Sequence, residues 1–162
     1  MTDDRLHWQA KSGLEAHSLK ELLETWGQWA KADGVPRRSR FDPIDFPSLL
    51  PWIVLGEILA QPNDGRDYDV YYRYIGTEFA HYFAAGSTTR MNLSAVGYPY
   101  TERWFAIADA VQSAKGPCYF TGAPYGTDHD YMNLEMLALP FSRDNGDIGF
   151  VMCAFAPTGK DR

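Results

Sequence analysis

Apolar positions along this chain change their period several times, and each change marks an element. Leu19, Leu22, Leu23, Trp26, Trp29 and Ala30 recur every three or four residues, with Lys20, Glu24 and Lys31 off the stripe. That spacing predicts one amphipathic helix. Ser18 and Glu21 have the spacing of a capping box at its start, and Asp33-Gly34 followed by Pro36 should end it. Residues 1–17 show no clear period and are expected to fray. Farther on, Asp42-Pro43 reads as the N-cap and first position of a brief helix that Pro47 and Pro51 limit. Trp52 to Ala60 (WIVLGEILA) is apolar and β-branched and predicts a buried strand. Gln61 to Arg66, with its Asn-Asp-Gly run, predicts the hairpin turn that follows.

Tyr68 to Phe83 (YDVYYRYIGTEFAHYF) passes from a period of two to a helical one across Gly76-Thr77. Asp69, Tyr71 and Arg73 fall on one parity and Val70, Tyr72 and Tyr74 on the other, the mark of a half-buried strand. Gly76 lets the backbone bend, and Thr77 suits the N-cap of a short helix carrying Phe79, Tyr82 and Phe83 on one side. A strand that turns straight into an aromatic helix folds that helix back over the sheet and leaves a concave space lined by rings. Residues 86–98 form a polar connection with room for one helical turn. Pro99 then opens a helix with Trp104, Ile107, Ala108, Val111 and Ala114 inward, ended by Gly116-Pro117. Three strands should follow, at 118–125, 132–141 and 148–156, the last two joined through Asn145-Gly146. The layout is α+β, an antiparallel sheet with helices over one face.

At 162 residues and 18.3 kDa the chain is sized for one domain with an appendage, and 45% hydrophobic content supplies a sizeable core. A net charge of −6 and a pI near 5.1 argue against a nucleic-acid partner, whose phosphates need clustered Lys and Arg. The one basic cluster, Arg37, Arg38 and Arg40, reads as a solvated loop. Cys118 and Cys153 lack metal-type spacing and read as free core thiols. The N-terminus has no apolar run of signal-peptide length, and nowhere are there about 18 consecutive apolar residues. The expected location is therefore the cytoplasm, with no membrane partner.

No constellation of residues suits acid–base or nucleophilic catalysis. His7, His17 and His129 lie in polar surroundings. His81 is near the expected ring-lined space and could ligate a haem there, although on the helix it points roughly away from Phe79 and Phe83. Asp128, His129 and Asp130 have no second ligand cluster to join them, so no metal site is expected. A cysteine motif of the flavin-photoreceptor type is absent. Glu135 stands alone in an apolar strand and, once buried, needs a partner such as Arg73 or a ligand donor.

Three pieces of the chain carry a family resemblance: PRRSRFDPIDFPSLLPWIVLGEI from Pro36, YYRYIGTEF from Tyr71, and LEMLALPFS followed by NGDIGFVMCAF. In order and spacing they resemble small bacterial proteins built on a PAS-like sensory domain. The resemblance spans residues 36–157 and leaves the N-terminal helix outside. It departs at Thr89-Arg90, where such proteins tend to have Gly before a basic residue. It implies a five-stranded antiparallel sheet of order 2-1-5-4-3, with Tyr68–Ile75 as the second strand. The chain then divides into a tail and amphipathic helix (1–35), a PAS-like domain (36–157) and a C-terminal tail (158–162).

The function expected from this resemblance is non-catalytic sensing, in which a small ligand or partner protein binds and the signal leaves through a partner or a change of assembly. The sequence names no ligand or cofactor. The expected pocket comprises Tyr72, Tyr74, Phe79, His81, Trp104 and Met136, with Asp69, Tyr71 and Arg73 facing the other way. Leu19, Leu22, Leu23, Trp26 and Trp29 are expected to bury against their own sheet and a second copy, giving a two-fold homodimer. Three alternatives stay open: an isomerase- or hydratase-type enzyme on a similar curved sheet with Glu135 or His81 as base, a haem sensor using His81, and a pure interaction module with a filled core.

Overall fold

Strands form where the chain is apolar and β-branched, and the structure, a computed structural model, contains six of them among the described residues 6–63, 65–83, 90–97 and 100–158. They are β1 (Gln9–Ala10), β2 (Ile53–Leu59), β3 (Asp69–Ile75), β4 (Cys118–Gly122), β5 (Leu134–Ser142) and β6 (Ile148–Pro157). The helices are α1 (His17–Asp33), α2 (Thr77–Phe83) and α3 (Tyr100–Ala114), with 3-10 turns between. The helix start expected at Pro99, and Thr89 in the divergent loop, lie outside the described residues. All neighbouring strands pair antiparallel in one sheet of order β1-β4-β5-β6-β2-β3.

The expected five strands are therefore six, and the added one comes from the segment expected to fray. Gln9 and Ala10 pair with Thr121 and Phe120, and the Lys11 N–H donates to Tyr119 O at 2.9 Å. Leu6 and Trp8 are both buried. The Trp8 ring packs so closely on Gly122 that a Cβ there would come within 2.5 Å of it. Two apolar side chains at i and i+2 are too few to register as a period, so this anchoring is visible only in three dimensions.

β5 runs through the middle of the sheet, and each of its residues is buried, because helices cover both faces. α2 and α3 cover one face, in a core with Val54, Phe120, Met136, Ala138, Val151, Cys153 and Phe155. α1 covers the opposite face, in a core with Ile53, Leu55, Leu137, Leu139, Phe141, Met152 and Ala154. Leu19, Leu22 and Trp26 are buried there, and the Trp26 indole donates to Pro140 O at 3.0 Å. Burying each such side chain stabilises the fold by roughly 1.5–3 kcal/mol. These three residues therefore leave the expected dimer surface, since their own sheet takes them. Leu23 and Trp29 remain half-buried at the edge of the same cluster.

The capping box is replaced by a contact from across the fold. α1 begins at His17, its N-cap is Ala16, and no local side chain caps it. Instead the fully buried Glu135 carboxylate accepts from the Glu15 and Ala16 N–H groups, each at 2.8 Å, and from Lys11 Nζ at 2.5 Å. Arg73, the partner expected for Glu135, sits 3.4 Å from Glu57 instead. Other local signals act as read: Asp42 Oδ1 accepts from Ile44 N at 3.1 Å, Gly34 ends α1 at φ 79°, and Gly146 adopts φ 93° in the β5–β6 turn.

Gly76 serves a purpose other than bending. A Cβ there would stand 2.2 Å from Pro51 O, so only glycine lets the β3–α2 junction approach the 3-10 turn Leu50–Trp52. The Gly76 N–H then reaches Ile53 O at 2.8 Å, and α2 starts at Thr77 itself. Trp52 stacks on Tyr82 across this junction, ring centroids 5.4 Å apart. α2 is thereby held against the sheet at the angle that opens a cleft on its far side.

Candidate ligand cleft

A bulge in β3 decides which rings meet. Tyr74 pairs with Leu55 and Tyr72 with Gly56, so Arg73 is an extra residue in the ladder. Beyond it the parity reverses. Tyr72 and Ile75 turn toward α2 and α3, whereas Tyr74 joins the α1 side and donates its hydroxyl to Leu50 O at 3.1 Å. Tyr74 is thus misplaced in the expected pocket, because strict alternation does not survive an inserted residue. Asp69 is buried, accepting from Val70 N at 2.8 Å, Ser94 N at 3.2 Å and Ser94 Oγ at 2.5 Å. This contact ties the 90–97 segment to the outer edge of the sheet. Tyr72 N–H to Met91 O and Arg90 N–H to Tyr72 O, both 3.0 Å, complete the attachment.

The result is a cleft of ≈ 400 Å³ between β3, α2, the 90–97 segment, α3 and the loop after β4. Its size is that of a small-molecule site. Tyr72 and Ile75 come from the sheet, Phe79 and Phe83 from α2, Val96 from the attached segment, Tyr100, Arg103 and Trp104 from α3, and Thr127 from the loop. Phe79 and Phe83 stack with centroids 4.4 Å apart, and Trp104 meets both rings edge-on. A narrower apolar recess of ≈ 40 Å³, reaching Val70, Leu93 and Cys153, shares Tyr72, Phe79 and Trp104 with the cleft. Burial pushes the Tyr72 phenol well above its ordinary pKa, with Cys153 and Asp69 adding to it, and pushes the Cys153 thiol to about 12. Both are neutral at physiological pH.

Of the residues expected to form the pocket, Tyr72, Phe79 and Trp104 line this cleft. Met136 is fully buried beneath, in the same core but away from the lining. His81 is exposed on the outer side of α2, its ring 5.0 Å from that of His129, so neither a haem ligand nor a base in the cleft comes from it. Glu135, the other candidate base, caps α1 on the far side of the sheet. Among the described residues no group of three or more His, Cys, Asp or Glu is placed to hold a metal ion.

Arg103 is the residue the sequence did not single out. It is 1% exposed, yet its signal was available: it precedes Ile107 and Val111 by four and eight positions, on the stripe of α3 that faces the sheet. Its Nη2 donates to Ala123 O at 2.9 Å, while its Nε–H is buried with no partner among the described residues. The guanidinium lies 4.9 Å from the Trp8 ring and 5.3 Å from Trp104. Burial lowers its pKa to about 10, so it still carries a full charge at neutral pH.

A family model described as "PAS domain" matches residues 14–154, most of the chain. The chain belongs to the PAS domain family. That span takes in α1, which the sequence resemblance had left outside, so the second-face helix lies within the matched PAS region. The sensory family agrees with the α+β sheet, and it makes this a domain of signalling type. No curated protein matches the chain. A solved structure titled as a sensory box sensor histidine kinase from Vibrio cholerae is similar at a TM-score of 0.48 and 12% identity, covering 76% of this chain and 94% of that one. Among the described residues no helix is long and apolar enough to cross a membrane.

Proposed function

We propose that this PAS domain is a non-catalytic sensing module, residues 36–157 forming the sensor and α1 closing its second face, and that it binds a small ligand in the cleft between β3, α2 and α3. The observation that carries the reading is the cleft itself: it is walled by Phe79, Phe83, Trp104 and Tyr72, is contiguous with a recess into the core, and is bounded by a segment attached to the sheet through Asp69. A ligand that touches both β3 and the 90–97 segment would bias their contact, and a ligand shifts an equilibrium only through such differential contacts. The enzyme reading loses its two named bases, since Glu135 and His81 both lie away from the cleft. Native mass spectrometry of the gently purified full chain tests the proposal. An adduct of constant mass that raises the melting temperature when added back supports it; a mass matching the bare chain, with no small molecule in a broad library shifting the melting temperature, removes it.

Output is proposed to pass to a protein partner or a second copy through the outer edge of α1, where Leu23 and Trp29 are half-buried. Light scattering is expected to show a homodimer for the full chain and a monomer for Leu23→Glu. A monomeric wild-type chain at micromolar concentration would end the self-association reading and leave the partner route.

A further inference from the structure

We infer that the ligand of the proposed cleft is an apolar molecule bearing one carboxylate, and that Arg103 receives it. The inference rests on the sensing reading above and adds the chemical class. Among the described residues that line the cleft, Arg103 is the single charged one; the rest are aromatic, aliphatic or small and neutral. An arginine that is 1% exposed ordinarily has a carboxylate beside it, because an unpaired buried charge is costly. Among the described residues no ion pair to Arg103 forms, and the buried Nε–H finds no acceptor.

Two features offset part of the cost of burying the charge. The faces of Trp8, Trp104 and Phe83 surround the guanidinium at 4.9, 5.3 and 5.9 Å, which compensates part of the lost hydration through cation–π attraction. Ala123 O takes one N–H. Neither supplies negative charge. A guanidinium presents its donors as a planar fork that matches a carboxylate. A phosphomonoester would bring close to two charges against this one cation, with no second basic side chain among the described lining residues to balance it. A monoanion with an apolar body therefore fits the cleft in both charge and surface.

The bland alternative is a latch: Arg103 merely ties α3 to the loop after β4 through Ala123. Matched pairs of probes separate the two. Tryptophan fluorescence of the full chain at neutral pH, titrated with 4-phenylbutyrate against 4-phenylbutyramide and with decanoate against decanamide, is expected to give at least tenfold tighter binding of each acid. The preference should vanish in Arg103→Met and persist, weakened, in Arg103→Lys, which keeps the charge without the fork. Should Arg103→Met fail to fold, the wild-type pairs and Arg103→Lys still decide. Equal binding of acid and amide to the wild type would overturn the carboxylate inference while leaving the cleft as a ligand site. An acid preference that survives in Arg103→Met would overturn the role of Arg103. No binding by either member of either pair at millimolar concentration would count against both the inference and the sensing reading.

Discussion

Glu135→Ala is expected to lower the unfolding free energy by about 3–5 kcal/mol, the cost typical of removing one partner from a buried ion pair. The carboxylate is fully buried, and its loss leaves Lys11 with the Glu15 carboxylate at 3.6 Å as its remaining ion-pair partner among the described residues and strands the Glu15 and Ala16 N–H groups at the start of α1. Burial alone would raise the Glu135 pKa, but the hydrogen bond from Lys11 and the two backbone donors outweigh it, so the group is held below the ordinary carboxylate range. A depressed carboxylate contributes stability that is fully present above its unfolded pKa and is lost as the pH falls through its folded pKa. Lys11 is shifted the opposite way: burial lowers its pKa, but Glu135 and Glu15 together more than reverse this, so its contribution is complete below the unfolded value and is lost as the pH rises through the folded one. The pair is thus at full strength between those limits, across neutral pH. Urea melts of the wild type and Glu135→Gln at neutral pH and in acid should show the gap between them narrowing in acid. A Glu135→Ala loss under about 1 kcal/mol, the scale of one ordinary hydrogen bond, would mean that α1 is not anchored there.

Phe155→Ala is expected to cost about 3–5 kcal/mol. The ring is fully buried on β6 and touches the Phe79, Trp8, Phe83 and Trp104 rings at centroid distances of 5.1, 5.7, 5.7 and 6.2 Å. It is the floor on which β1, α2 and α3 all rest, so its removal leaves a cavity that three separate elements would have to close. Chemical denaturation followed by tryptophan fluorescence measures the loss and, through Trp8 and Trp104, reports a change at the cleft. A loss below about 1.5 kcal/mol would show that the cluster collapses freely onto the space, and the cleft would then not be pre-formed.

Local codes were legible because they act over a few residues. The 3.6 period of Leu19 to Trp29, the Asp42-Pro43 start, the Asn145-Gly146 reversal and the run of ring and β-branched residues around Tyr72 all have their partners close in sequence. They decided where most helices and strands lie, that the class is α+β, and that rings of β3, α2 and α3 gather on one side. What the chain alone left undecided depends on partners far away in sequence. Glu135 caps a helix 119 positions earlier, and no local spacing encodes such a cap. β1 exists because Trp8 finds Gly122. The bulge at Arg73 turns Tyr74 away from the cleft, and a period-two reading breaks at the first inserted residue. Arg103 falls on the inward stripe it shares with Ile107 and Val111, but a charged side chain there reads as solvated until the sheet and three rings are seen to enclose it. The sequence by itself determined the elements and the aromatic character of the site; the tertiary structure alone decided its charge, because burial and long-range pairing are properties of the packed chain and not of any stretch within it.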